Sequence, residues 1–103
     1  MDKTAGLREI LAQDPKNSFA RYGLAMELAK AGETEEALGE FDALLASDPG
    51  YTAGYFMAAQ TLAAASRTAE AIKRLQAGIA CASRNGNRHA LNEMQAMLEE
   101  LDR

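Results

Sequence analysis

The chain has 103 residues, of which 48% are apolar and 25% charged, and its net charge is −4. That describes one domain with a single modest core, able to bury roughly two thirds of its unfolded surface, and no apolar run approaches the ~20 residues of a membrane span. The acid excess argues against a duplex-binding protein, which needs a basic face for phosphates, and the lone cysteine, Cys81, excludes an internal disulfide and suits a reducing, cytoplasmic setting.

Residues that favour helix dominate throughout, and no alternating β-branched run suggests a strand. The first helix is expected over 3–13, with Leu7, Ile10 and Leu11 on one face. Its charged start, with Asp2, Lys3, Arg8 and Glu9, lacks the layout of a secretory signal. Asp14-Pro15 ends it, because the residue before proline avoids the helical region. A second helix is expected over 18–31, capped by Asn17 or Ser18 and closed by Gly32. Its apolar residues, from Phe19 and Tyr22 through Met26 to Ala29, spread more widely than one stripe. Contact on more than one side follows.

The third helix, over 34–47, takes Thr34 as its cap and Glu35 and Glu36 in its first turn, where the helix dipole favours acids. After Asp48-Pro49-Gly50 comes a fourth helix over 52–65, capped by Thr52 and rich in alanine, which marks it as the central, most crowded one. The fifth helix, over 68–83, starts at Thr68 and contains Gly78, which weakens it by about 1 kcal/mol relative to Ala. Only close approach of another helix accounts for that glycine. Asn85-Gly86 signals a turn, and a last helix over 87–101 carries a seam of Leu91, Met94, Leu98 and Leu101 flanked by Met97.

The stretch 15–48 recurs at 49–82, a period of 34 residues. Pro15 returns as Pro49, Ala25 as Ala59, Leu28 as Leu62, Ala37 as Ala71, with Tyr22 answered by Phe56 and Phe41 by Leu75. Asp14-Pro15 stands 34 residues before Asp48-Pro49, so the first helix reads as the second half of a preceding unit. A fixed period of this size marks stacked units that bury their apolar faces against one another. The charges follow the units. From Glu33 to Asp48 there are six acids and no Lys or Arg, whereas Arg67, Lys73, Arg74, Arg84 and Arg88 face Glu70 alone. Solvated helix faces or electrostatic matching, to a partner or between copies head to tail, are the readings of that asymmetry.

The period, the small residues at 25, 37, 59 and 71, the large ones at 41 and 75, and Pro49 in register resemble the tetratricopeptide repeat. The resemblance implies an all-α, antiparallel helix-pair superhelix of about six helices: a half repeat (3–14), two repeats (15–48 and 49–82) and a capping helix (86–101). Arg21 replaces an aromatic residue, Ser66 a glycine and Ser83 a proline of the family pattern. In this family the first helix of each pair lines a concave groove that takes peptides. The corresponding residues are Phe19, Tyr22, Met26, Lys30, Phe56, Gln60 and Ala64, with Asn17 and Tyr51 at the rim. The lysine and asparagine clamp of the chaperone-binding subgroup is not visible, since those positions carry Tyr22, Met26, Phe56 and Gln60.

Catalytic signatures are missing. His89 and Glu93 make only two metal ligands, and no phosphate loop, nucleophile motif or zinc spacing occurs. The expectation is a non-enzymatic interaction module without cofactor or metal, its partner a protein or peptide rather than nucleic acid or membrane. The alternatives are self-association as a homodimer and a role as part of a larger scaffold.

Overall fold

The computed structural model describes residues 2–103. Among them are six helices: α1 (Lys3–Gln13), α2 (Ser18–Lys30), α3 (Thr34–Ser47), α4 (Thr52–Ala64), α5 (Thr68–Asn85) and α6 (Arg88–Leu101). Each packs against the next. In addition α2 meets α4 and α4 meets α6, whereas the backbones of α1, α3 and α5 do not approach one another. The helices therefore form an inner layer of α2, α4 and α6 and an outer layer of α1, α3 and α5. The fold measures 41 × 29 × 19 Å. No helix is long and apolar enough to cross a membrane.

The sequence period becomes a structural one. Leu28 and Leu62 are each 4% exposed, and Ala25, Ala59, Ala37, Ala71, Phe41 and Leu75 are fully buried. Loop hydrogen bonds repeat as well. Glu33 N donates to Leu28 O and Arg67 N to Leu62 O, both at 2.9 Å. Gly32 N and Ser66 N likewise reach the equivalent carbonyls of Ala29 and Ala63. This double bond pattern closes a helix through one left-handed residue. Gly32 adopts φ 80° without cost, and Ser66, in its place, is forced to φ 62°.

Arg21 shows how a departure from the family pattern is absorbed. It stands 34 residues before Tyr55, and Tyr55 anchors α4 by donating from its hydroxyl to Pro49 O at 2.8 Å. Arg21 donates from Nη2 to Pro15 O at 3.0 Å, the equivalent carbonyl, and from Nη1 to Glu40 at 2.6 Å. A guanidinium thus replaces the phenol as the donor that fixes the loop to the helix.

α4 is the central helix, touching α2, α3, α5 and α6. Gly78 gains its reason here: a Cβ at that position would lie 2.6 Å from Tyr55 Cβ and 2.5 Å from Met94 Sδ. The glycine lets α5 sit against both α4 and α6. Met94 is fully buried in that junction, while Leu91, Leu98 and Leu101 are half-buried around it.

Two expectations are corrected, and the charge asymmetry is resolved into exposed ion pairs. Thr34, Thr52 and Thr68 are first helical residues, not caps; the N-cap positions are Glu33, Tyr51 and Arg67, and none makes a side-chain capping bond. The backbone bonds that close the preceding loops already orient these helix starts. Asn17 does cap α2, accepting from Ala20 N at 2.9 Å. α5 continues to Asn85, whose amide donates to Gly50 O and Thr52 Oγ1, each at 3.3 Å. Finally, the acidic and basic units meet within the molecule. Arg67 pairs with Glu35 at 2.6 Å and doubly with Glu70, Arg74 pairs with Asp42, and Arg8 pairs with Glu36 at 3.1 Å. The pairs of Arg67 with Glu35, Arg74 with Asp42 and Arg8 with Glu36 bridge neighbouring members of the outer layer, so much of the charge is matched internally.

Candidate functional site

The inner layer presents a cleft of about 400 Å³ between the C-terminal halves of α2 and α4. It forms because α2 and α4 run side by side and carry small residues there, Ala29 on one and Ala64 on the other. Met26 and Met57 wall it, both half-buried, and Lys30 and Gln60 stand exposed at its edge. Lys30 is held on its own helix by Glu27 at 3.5 Å. Thr61 turns its hydroxyl back to Met57 O at 2.8 Å, which satisfies the polar group and leaves its methyl for the cleft. The result is an apolar slot with a polar edge, of a shape and lining suited to an apolar side chain.

Of the residues singled out from sequence, Met26, Lys30, Gln60 and Ala64 come together here. The others lie elsewhere. Tyr22 and Tyr51 form a tilted ring pair, 5.3 Å between centroids and 43° between planes, and Tyr22 also meets Phe41 edge-on at 6.5 Å. Burial pushes both hydroxyls above the usual tyrosine range; Tyr51 lends a smaller push to Tyr22, as Asp48 does to Tyr51. Phe19, 79% exposed, protrudes near the start of α2 beside the cap Asn17. Phe56 is half-buried against the core cluster containing Met94. Met57 and Thr61 were not singled out. The repeat puts Met57 opposite Gly23, and that disparity of bulk was the available signal.

A second hollow, about 360 Å³, opens on the outer side between α3 and α5, with Leu38 and Leu62 lining it and the Arg67 and Arg74 ion pairs around it. Its guanidinium groups are already engaged with Glu35, Glu70 and Asp42. Cys81 is buried and donates weakly to Pro49 O at 3.6 Å. His89 is exposed, 3.3 Å from Glu93.

The sequence model of the tetratricopeptide repeat matches residues 1–55. The chain belongs to the tetratricopeptide repeat family. Solved structures agree across nearly the whole tetratricopeptide repeat fold described above. A tetratricopeptide repeat domain protein from Salinibacter ruber is 31% identical, with 84% of this chain and 88% of that one covered and a TM-score of 0.80. A protein from Bordetella parapertussis is 27% identical, with 99% and 89% covered and a TM-score of 0.85. The TPR2B domain of yeast Sti1, solved in complex with pHsp70, shares the fold at 19% identity, with 96% and 79% covered and a TM-score of 0.89. A comparison with curated proteins finds no match.

Proposed function

We propose that this tetratricopeptide repeat chain is a non-catalytic protein-interaction module that docks a short apolar peptide or helix in the α2–α4 cleft, without cofactor or metal and without nucleic acid. The observation that carries the reading is the cleft itself. Two methionines wall it, alanines floor it, and it lies on the inner layer. Methionine adapts to varied shapes, so such a slot accepts apolar side chains without demanding one contour. The pHsp70 complex of the yeast Sti1 domain, which shares the fold, supports the class of activity. The residues Tyr22, Met26, Phe56 and Gln60 supply no carboxylate clamp, so the ligand is gripped through its apolar side chains. A cytoplasmic location accords with the free, buried Cys81.

Ala64→Arg tests the reading, because Ala64 is exposed and its replacement fills the cleft without entering the core. Peptides selected from a displayed library against the wild-type chain should lose binding to Ala64→Arg at unchanged helix content. Equal binding by the variant, or no peptide selected at all, would contradict the cleft as the docking site.

Self-association is a second reading, favoured by the exposure of Phe19 at 79% and Ile10 at 46%. Light scattering after size exclusion decides it: a dimer that Phe19→Ser dissociates supports it, and a strict monomer at high concentration eliminates it.

A further inference from the structure

Asp48 is a half-buried carboxylate that no cation of the described residues neutralises. Its side-chain partner is a hydroxyl: Ser18 Oγ donates to Oδ2 at 2.8 Å. A carboxylate accepts about four hydrogen bonds, so most of its capacity is open. Glu35, Glu36, Glu40 and Asp42 each hold an arginine, and Glu33 and Asp14, which hold none, are exposed, whereas Asp48 is half-buried without one.

Its surroundings are aromatic. The bond from Ser18 fixes the carboxylate at the start of α2. The loop bond from Tyr51 N to Asp48 O, 3.0 Å, keeps Tyr51 close by. Tyr51 in turn lies against Tyr22, ring to ring at 5.3 Å, and Tyr22 is seated edge-on upon the fully buried Phe41. The negative field of Asp48 reaches the Tyr51 hydroxyl and, after burial, is the second reason its proton is held above the ordinary range. Aromatic faces attract cations through their quadrupole, and a partly desolvated carboxylate beside them strengthens the attraction.

We propose that Asp48, Tyr22 and Tyr51 form a receptor for a basic side chain, lysine or arginine, carried by the docked peptide. The site deepens the docking reading and rests on it for the identity of the ligand as a peptide. It gives the ligand a polarity: an apolar anchor in the Met26–Met57 cleft at the C-terminal end of α2, and a cation at the N-terminal end. Residues 19 and 30 of α2 are separated by roughly 16 Å at the helical rise, about five residues of extended chain. The preference is for basic ligands, the reverse of an acidic tail held by lysines.

The test is an NMR titration of the labelled chain with acetyl-Leu-Lys-Leu-amide, its arginine counterpart and its norleucine counterpart. The cationic peptides should give saturable shifts at Asp48, Tyr22 and Tyr51 that the norleucine peptide does not, and that weaken with added salt. Asp48→Asn keeps an oxygen for Ser18, so the fold is retained, and it should bind the lysine peptide about tenfold more weakly. Tyr51→Leu is a second variant with the same expected loss. Equal shifts from the norleucine peptide, no saturable shift, or undiminished affinity in both variants would overturn the assignment. The result separates from the docking reading: an uncharged peptide that still binds the cleft and is blocked by Ala64→Arg would leave the cleft in place and remove the cation site alone.

Discussion

Gly78→Ala is the substitution for which sequence and structure give opposite answers. From propensity alone, alanine inside α5 should stabilise the helix by about 1 kcal/mol. In the fold, the new methyl would stand 2.6 Å from Tyr55 Cβ and 2.5 Å from Met94 Sδ. Met94 can swing its thioether aside. Tyr55 Cβ is bonded to the backbone of α4, so α4 itself must retreat by roughly 1 Å to restore an ordinary contact. Overpacking of that kind costs about 1–3 kcal/mol, and part of the loosened contact spreads to the α6 seam. Set against the propensity gain, the net expectation is destabilisation by up to about 2 kcal/mol, seen as a Tm lower by up to about 10 °C for a domain this size. The control is Gly39→Ala on the exposed side of α3, where nothing lies within 4 Å of the new Cβ. That variant should gain about 1 kcal/mol. Thermal and urea unfolding of the two proteins decides the matter: if Gly78→Ala is stabilised as much as Gly39→Ala, then α4, α5 and α6 do not meet at Gly78 as described.

Three other outcomes follow from the same contacts. Ser66→Gly relieves a left-handed serine at φ 62°, and should raise stability by about 0.5–1 kcal/mol in urea unfolding; no gain would mean the loop is not held in that conformation. Arg21→Ala removes both the bond to Pro15 O and the half-buried pair with Glu40, at a cost of about 1–2 kcal/mol; Arg21→Tyr should recover part of it by restoring the bond to Pro15 O, and the two being equally damaged would count against the shared role of Arg21 and Tyr55. Tyr22 and Tyr51 keep their protons above pH 10 in the fold, while the unfolded chain gives them up near 10. The folded state then binds more protons, so this contribution is intact below pH 10 and is lost as the pH rises through the higher folded values. NMR titration of the ring carbons should show both midpoints above that of a tyrosine in the unfolded chain, and ordinary midpoints would refute the burial of the pair.

The stacking of helix pairs was legible because its cause is repeated. The same small and large residues return after 34 positions, and each pair meets its neighbour through them. Helix limits came within two residues, and α5 is the long one because Asn85 finds partners on the α4 loop that sequence distance conceals. The threonine caps failed because a threonine at a helix start serves equally as first residue when the backbone of the preceding loop already sets the direction. The charge asymmetry was visible, but its target was not. Arg67 and Arg74 meet residues 32 positions earlier, a relation that exists only once the units are stacked. Met26, Lys30, Gln60 and Ala64 follow the repeat register onto one cleft, whereas Phe56 follows it into a half-buried position against the core cluster that holds Met94. Asp48 drew notice as a helix breaker and as one acid of a run, since its lack of a cationic partner while half-buried is a property of the assembled fold.

The docking of a ligand on the inner layer is tested most directly by methyl NMR of the chain labelled at its methionine methyls, titrated with a peptide selected against it. Met26 and Met57 should shift and broaden together as the cleft fills, while Met94, sealed between α5 and α6, stays unchanged. A bound peptide that leaves Met26 and Met57 where they are, or that moves Met94 instead, would contradict the account.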